Sequence, residues 1–372
     1  MEERKITKSK QNEIDCKNCG AKLNFEPGTD SLKCQFCGAL NKIEVDEEAR
    51  AEAIQELDFN AYINNQADIA PKIEVTTVKC NSCGAETSFD PNVVSDECDF
   101  CGSPLVSAEA QTSQVIAPKA ILPFKIEKKE GFNLYRTWLK KLWFAPNKLK
   151  KQAHQTEDLA GIYTPYWTYD SDTNTSYSGQ RGDDYQTTET YYEDGQQKSR
   201  TVTKTRWTYA SGRVSRFFND VMVPASDTLP RKYVDKLEPW DLQNLVPYDT
   251  KYLAGFKTET YHVGLSEGFS MAKVKMKPVI RGDIRRHIGG DHQQISSMNT
   301  DYYSTTFKHI LLPIWLSAYK YNDKIYRFMI NARTGEVQGE RPWSWIKITL
   351  AILGVAAIIG GIYWYSEVYQ QQ

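Results

Sequence analysis

Residues 16–20 read CKNCG and residues 34–38 read CQFCG; residues 80–84 read CNSCG and residues 98–102 read CDFCG. In both halves fourteen residues separate the second cysteine from the third. Two C-x-x-C pairs joined by a short spacer are the pattern of a tetrahedral zinc site with four cysteine ligands. All eight cysteines of the chain are used this way: Cys16, Cys19, Cys34 and Cys37 in one device, Cys80, Cys83, Cys98 and Cys101 in the other. Disulfides are the competing reading, and they need an oxidising compartment. Each pair is followed by a glycine, Gly20, Gly38, Gly84 or Gly102. A glycine there lets the backbone turn back so that amide N–H groups face thiolate sulfur. The expectation is two zinc ribbons with one structural zinc ion each. Four thiolates close such a site, whereas a catalytic zinc keeps an open position. Iron held by the same four thiolates is the alternative metal.

Working outward, the chain of 372 residues has room for two or three domains. The reading is α+β throughout. The first ribbon occupies 1–45, a helical spacer 46–70, the second ribbon 71–106 and a linker 107–118. A larger α+β domain with a mainly antiparallel sheet fills 119–340, a membrane span 343–365, and a short tail 366–372. The spacer stretch DEEARAEAIQELDFNAYINNQ (46–66) reads as one helix packed on a ribbon. Its stripe is Ala51, Ile54, Leu57 and Phe59.

Charge bears on what the ribbons bind. The whole chain has a formal net charge of −1, so nothing global attracts nucleic acid. The first ribbon sets Lys17, Lys22, Lys33 and Lys42 against Asp15, Glu26, Asp30, Glu44 and Asp46. The second sets Lys79 against Glu74, Glu86, Asp90, Asp96, Glu97 and Asp99. A phosphate-binding module should be basic; these are neutral and acidic, which argues for protein contact or structural capping.

The 119–340 region contains an echo. EGF at 130–132 opens a helical stretch that ends in LAGIYTPYWTYD (159–170), and EGF at 267–269 opens another that ends in HILLPIWLSAYKY (309–321). Each strand carries Pro-x-Trp, at Pro165/Trp167 and Pro313/Trp315. Either a duplicated helix-then-strand unit or chance likeness of short apolar strings accounts for this. Segments 176–192 and 197–209 read as strands around a turn at Glu193-Asp194-Gly195, and 325–339 reads as strand, Thr334-Gly335 turn, strand.

No catalytic constellation stands out. The chain has no G-x-x-x-x-G-K-[ST] motif, which argues against a P-loop NTPase or helicase. No cysteine is left over as a nucleophile. RRHIGGDHQQ (285–294) brings His287, Asp291 and His292 close in sequence, as a metal or acid–base cluster or as a glycine turn with solvated neighbours. The expectation is no enzyme activity. FNLYRTWLKKLWFAPNKLKKQAH (132–154) is a basic, tryptophan-bearing helix broken at Pro146. It reads as a domain helix with its aromatics on the sheet, or as one lying on anionic lipid.

The far end is apolar. Ile348 to Tyr365 contains no charged residue, and with the residues from Trp345 it has about the 20 needed to cross a bilayer core. Trp343, Trp345, Tyr363, Trp364 and Tyr365 lie at its two ends, where aromatic belts belong. A buried core helix is the competing reading, and the few residues that follow could not surround one. Arg341 and Lys347 on the near side, against Glu367 alone on the far side, place the N-terminal domains in the cytoplasm. The expectation is a tail-anchored, single-pass protein. Ala356/Gly360 and Ala357/Gly361, with Gly354, form small-xxx-small pairs that would let the span associate with itself.

WLKKLWFAPNKLK, LAGIYTPYWTYD, IGGDHQ, FKHILLPIWLSAYKY and NARTGEVQGERPWS resemble a family of bacterial tandem zinc-ribbon proteins with a C-terminal membrane span. Its members are often labelled primosomal helicase-like or phage replication protein. The family is related to the membrane-anchor component of SPFH and phage-shock-type stress operons. The resemblance covers nearly the whole chain. It implies a cytosol-facing scaffold or adaptor that recruits SPFH-domain and phage-shock-type proteins to the membrane. The alternative is a replication-associated, nucleic-acid-binding protein without helicase activity.

Overall fold

The computed structural model describes residues 14–64, 71–88, 95–106, 111–147, 159–321 and 324–370. The expected start of the first ribbon at 1–13, Asp90, the basic run at 148–154 and the last two residues of the tail lie outside them. The chain is α+β with mainly antiparallel sheets. It opens with a three-stranded meander: β1 (Leu23–Phe25), β2 (Ser31–Cys34) and β3 (Leu40–Lys42). Leu23, Phe25, Leu32 and Ile43 turn inward and bury one face of it.

The next stretch corrects the sequence reading. Residues 46–64 are not one helix but α1 (Glu47–Ile54), β4 (Leu57–Asp58) and α2 (Phe59–Ile63). Two aspartates cause the break. Asp46 accepts a hydrogen bond from the Glu48 amide at 3.1 Å and Asp58 one from the Ala61 amide at 2.7 Å, so each starts its own helix. Between them, Leu57 and Asp58 pair with Phe307 and Thr306 of the central sheet. Phe59 is buried against Tyr169 and Phe269, so the spacer packs on the sheet rather than on a cysteine module.

A second small unit follows: β5 (Lys72–Lys79), β6 (Glu86–Ser88), β7 (Ser95–Glu97), β8 (Pro104–Val106) and β9 (Gln111–Ile116). β5 pairs with β6 on one side and with β9 on the other. The segment expected to be a 107–118 linker is therefore a strand over 111–116. Val115 and Ile116 are buried there, and the Ile116 amide donates to the Tyr261 hydroxyl at 3.1 Å.

The rest builds the body. It comprises β10 (Ala120–Ile121), α3 (Lys128–Lys141), β11 (Ala160–Glu193), β12 (Gln196–Pro224), α4 (Arg231–Val234), β13 (Val246–Pro247) and β14 (Lys257–Thr258). Then come α5 (Leu265–Ile288), β15 (His292–Tyr321), β16 (Lys324–Asn331), β17 (Val337–Gly339) and α6 (Trp345–Gln370). The sheet runs β12-β11-β15-β10-β13, with β16 and β17 continuing from β15. Only the β10/β15 and β11/β14 pairings are parallel among its described strands. β11 has 34 residues, a length of about 110 Å if straight; β-bulges near Tyr169 and Ser178 bend it. Past the Gly182–His292 pair only β11 and β12 remain, forming a two-stranded arm. Asp194 and Gly195, both at positive φ (54° and 75°), close it in the turn that the right-handed strand twist favours.

The echoed motifs meet in space. β11 and β15 pair so that Tyr163 faces Pro313 and Pro165 faces Leu311, a register unchanged when the two strands are exchanged. The Trp167 indole donates to the Val263 carbonyl, two residues before α5, at 2.8 Å. The Trp315 indole donates to the Ile126 carbonyl, two residues before α3, at 2.8 Å. Each tryptophan thus holds the start of the other unit's helix. The glycine of each EGF lies against the opposite ring: a Cβ on Gly131 would lie 3.4 Å from the Trp315 ring, an ordinary contact, and one on Gly268 would lie 3.0 Å from the Trp167 ring, which is too close. On α5 the buried residues Leu265, Phe269, Ala272, Met276, Ile280, Ile284 and Ile288 recur at helical spacing and cover the sheet.

Candidate metal centres

The four C-x-x-C-G stretches fold alike. The amides of Gly20, Gly38, Gly84 and Gly102 donate to the carbonyls of Cys16, Cys34, Cys80 and Cys98 at 2.7–3.0 Å. The same four cysteine amides donate to the carbonyls of Ala21, Ala39, Ala85 and Ser103 at 2.7–2.9 Å. Closing that ring needs a left-handed residue, and the glycines sit at φ of 72–78°. The turn leaves amides free to face sulfur: Cys37 N–H donates to Cys34 Sγ at 3.5 Å. The Ala39 amide, followed by the Asn18 side chain, draws the Cys37 thiol down to about 6, whereas Cys19, despite the Ala21 amide, is pushed up to about 12 by the sulfurs of Cys34 and Cys37, so one sulfur of the set favours the thiolate and another the thiol.

The knuckles come together in pairs. Sγ–Sγ distances are 3.6 Å for Cys16–Cys37 and 3.5 Å for Cys19–Cys34. They are 3.6 Å for both Cys80–Cys101 and Cys83–Cys98. All four sulfurs of each set lie within 4.8 Å of one another. A disulfide would bring two of them to about 2 Å. A tetrahedral ion with bonds of about 2.3 Å holds them about 3.8 Å apart, so the donor sets suit two metal ions. Four sulfurs match the four positions of a tetrahedral ion, the make-up of a structural site.

The two modules differ in exposure. Cys80, Cys98 and Cys101 are buried and share a core cluster with Ile310, Leu312 and Met222 of the central sheet. In the first module Cys16 and Cys34 are buried in a cluster that includes Ile121, Leu311 and Trp315 of the body, while Cys19 and Cys37 face solvent. Both modules dock on the body. The Phe25 amide donates to the Ala254 carbonyl at 2.9 Å, and the Arg327 guanidinium donates to the Phe100 carbonyl at 2.6 Å. Lys257 bridges Asp96 and Asp99 at 2.7 and 2.8 Å. Three of the module lysines are paired as well: Lys33 with Glu26, Lys42 with Asp30 and Lys79 with Glu86.

The His287/Asp291/His292 cluster does not assemble. His287 Nδ1 lies 2.8 Å from the Tyr177 hydroxyl. Asp291 accepts from the Asp184 amide at 2.8 Å, and His292 Nε2 sits 3.1 Å from the Asp184 carboxylate. Asp291 and His292 both meet Asp184 at the root of the arm, while Tyr177 holds His287 apart from them.

A group that the sequence did not announce joins the spacer to the sheet. Ligand oxygens of Glu56, Asp170 and Asp220 lie within 4.8 Å of one another. The buried Lys308 ammonium stands among them, 2.9 Å from both Glu56 and Asp220. The lysine supplies the positive charge there, so the group is a buried ion network. Desolvation, opposed by the Asp220 amide and reinforced by the Glu56 charge, raises the Asp170 carboxyl to about 7. No local signal marks it, because its four members are spread across residues 56–308.

Beyond Ile348, α6 runs clear of the body, with residues 349–366 exposed. Trp345–Ser366 has a mean hydropathy of 2.1 and none of its apolar window is buried, so it is long and apolar enough to cross a membrane.

No family model and no solved structure matches the chain. In sequence it is similar to the Bacillus subtilis protein described as "Uncharacterized protein YdjG", with 27% identity over 349 residues that cover 92% of this chain and 93% of that one.

Proposed function

We propose that the protein is a cytosol-facing scaffold or adaptor that holds partner proteins at a membrane. In this reading each four-cysteine module is a zinc ribbon with one structural zinc ion, α6 is the single span, and the body is cytoplasmic. The observation that carries it is the pairing of two closed thiolate sites with a helix whose apolar surface the body leaves uncovered. Closed sites stabilise a surface without doing chemistry, and an uncovered apolar helix needs lipid. Arg341 and Lys347 flank the near end of α6, which supports the orientation. Family resemblance leads us to propose SPFH-domain and phage-shock-type proteins as the partners. The charge pairing of the modules weighs against nucleic acid, because lysines already neutralised have little left for phosphates.

The test is affinity purification of the full-length protein from detergent-solubilised membranes at physiological salt. Recovery of SPFH-type or stress proteins in stoichiometric amount is the expected result. Recovery of replication proteins with DNA, lost between about 50 and 200 mM salt, would establish the replication-associated alternative instead.

A further inference from the structure

The corner after α3 meets the start of α6. Leu139, Leu142 and Ala145 are buried and pin this corner to the body. Trp143 between them is 81% exposed. The Ser344 amide donates to the Phe144 carbonyl at 2.8 Å, and the Phe144 and Trp343 rings lie 6.4 Å apart. Lys347, in the first turn of α6, donates to the carbonyls of Trp143 and Ala145 at 3.2 and 2.8 Å and to the Asn147 side chain at 2.7 Å. Its charge is thereby spent on the carbonyls of the turn that follows α3. The Arg341 guanidinium stacks 4.5 Å over Trp343. Trp143 is thus tied to the level of Trp343 and Trp345, though some 200 residues separate them in sequence. Amphipathic indoles at the mouth of an apolar helix are the chemistry of the headgroup region. Lys140 and Lys141 lie on the same corner, facing out.

We propose that residues 140–147 are a second membrane contact, with Trp143 seated among the headgroups of the leaflet that α6 enters and Lys141 directed to anionic lipid phosphates. This rests on the reading of α6 as a span and adds a consequence: two contacts fix the tilt of the body, where one helix alone would leave it free to swivel. α3 itself packs on the sheet through Tyr135 and Leu139, so only its end, and not its length, touches lipid. The test places a photoreactive diazirine amino acid at position 143, at position 353 inside α6, or at position 192 near the arm's tip. Each full-length protein is reconstituted in phosphatidylcholine vesicles with and without phosphatidylglycerol and irradiated. The expected result is lipid adducts at 143 and 353, none at 192, and a higher yield at 143 with the anionic lipid. Adducts at 353 with none at 143, equal yields at 143 and 192, or crosslinking of 143 to a second copy would overturn the corner contact while leaving the span. No adduct at 353 would overturn the span itself and the corner with it.

Discussion

Residue by residue, what the sequence discloses depends on spacing. The eight cysteines announce themselves because a metal site made by local knuckles has to repeat its ligands at short, fixed intervals. Lys308 and its three carboxylates do not, since a buried network answers only to the folded sheet. Glu259 is hidden in the same way. It is wholly buried beside Ser226, whose hydroxyl donates to it. Desolvation lifts its carboxyl from 4.5 to about 7. The sign follows from proton counting. The folded chain keeps a proton that the unfolded chain releases above about 4.5, so this group lowers stability as pH rises to about 7 and no further. The shift corresponds to about 3 kcal/mol. Glu259→Gln keeps the acceptor oxygen and cannot ionise. In denaturant unfolding of the detergent-solubilised protein, the variant should match wild type near pH 4.5 and exceed it by up to about 3 kcal/mol above pH 7. Parallel pH profiles for the two proteins would contradict this account.

At the scale of elements, period and turn chemistry read well and termination reads poorly. The β11–β12 hairpin was legible from its Tyr/Thr-rich runs and the Asp194-Gly195 turn. The spacer was not, because the apolar stripe of residues 51–59 suits a helix while Asp58 caps a new one. The 111–116 strand passed for a linker because its first four residues are exposed and only Val115 and Ile116 are buried. The EGF and Pro-x-Trp strings were visible as an echo, and the structure supplies their physical content: a helix glycine that lies against the opposite unit's tryptophan. The two glycines are not equally constrained. A Cβ on Gly268 would come 2.4 Å from the Tyr169 hydroxyl and 3.0 Å from the Trp167 ring, so α5 or the strand must shift. A Cβ on Gly131 would meet only side-chain carbons, at 3.3–3.6 Å. Overpacking costs about 1–3 kcal/mol, while alanine gains up to about 1 kcal/mol over glycine inside a helix. Gly268→Ala should therefore destabilise by about 1–3 kcal/mol and Gly131→Ala should lie near zero, read as the shift of the unfolding midpoint. A larger loss at Gly131 than at Gly268 would refute the contact assignment.

For the whole molecule, the sequence suggests modules strung along a line, whereas the structure docks them. The ties are single long-range contacts, such as Arg327 on the Phe100 carbonyl and Lys257 between Asp96 and Asp99, and nothing local in a chain foretells them. Docking makes the two four-cysteine sites unequal. Cys80, Cys98 and Cys101 sit inside the core cluster that includes Ile310 and Leu312, so a chelator reaches them only after that packing opens. Cys16 and Cys34 are buried in a like cluster with Leu311 and Trp315, but Cys19 and Cys37 are already at the surface. Metal binding and folding share one free energy, and both sets reach into core clusters of the body, so losing either ion must loosen it, with the more exposed first site giving way sooner. Elemental analysis of protein purified without added metal should find two zinc ions per chain. A chelator should then remove them in two phases, the fast one from Cys16, Cys19, Cys34 and Cys37, each phase with its own loss of near-UV circular dichroism. The slow phase should come from Cys80, Cys83, Cys98 and Cys101. Cys37→Ser should abolish the fast phase alone. A single phase, or a fast phase that survives Cys37→Ser and disappears with Cys83→Ser, would mean that the second module is not built into the core as the packing of Cys80 and Cys98 requires.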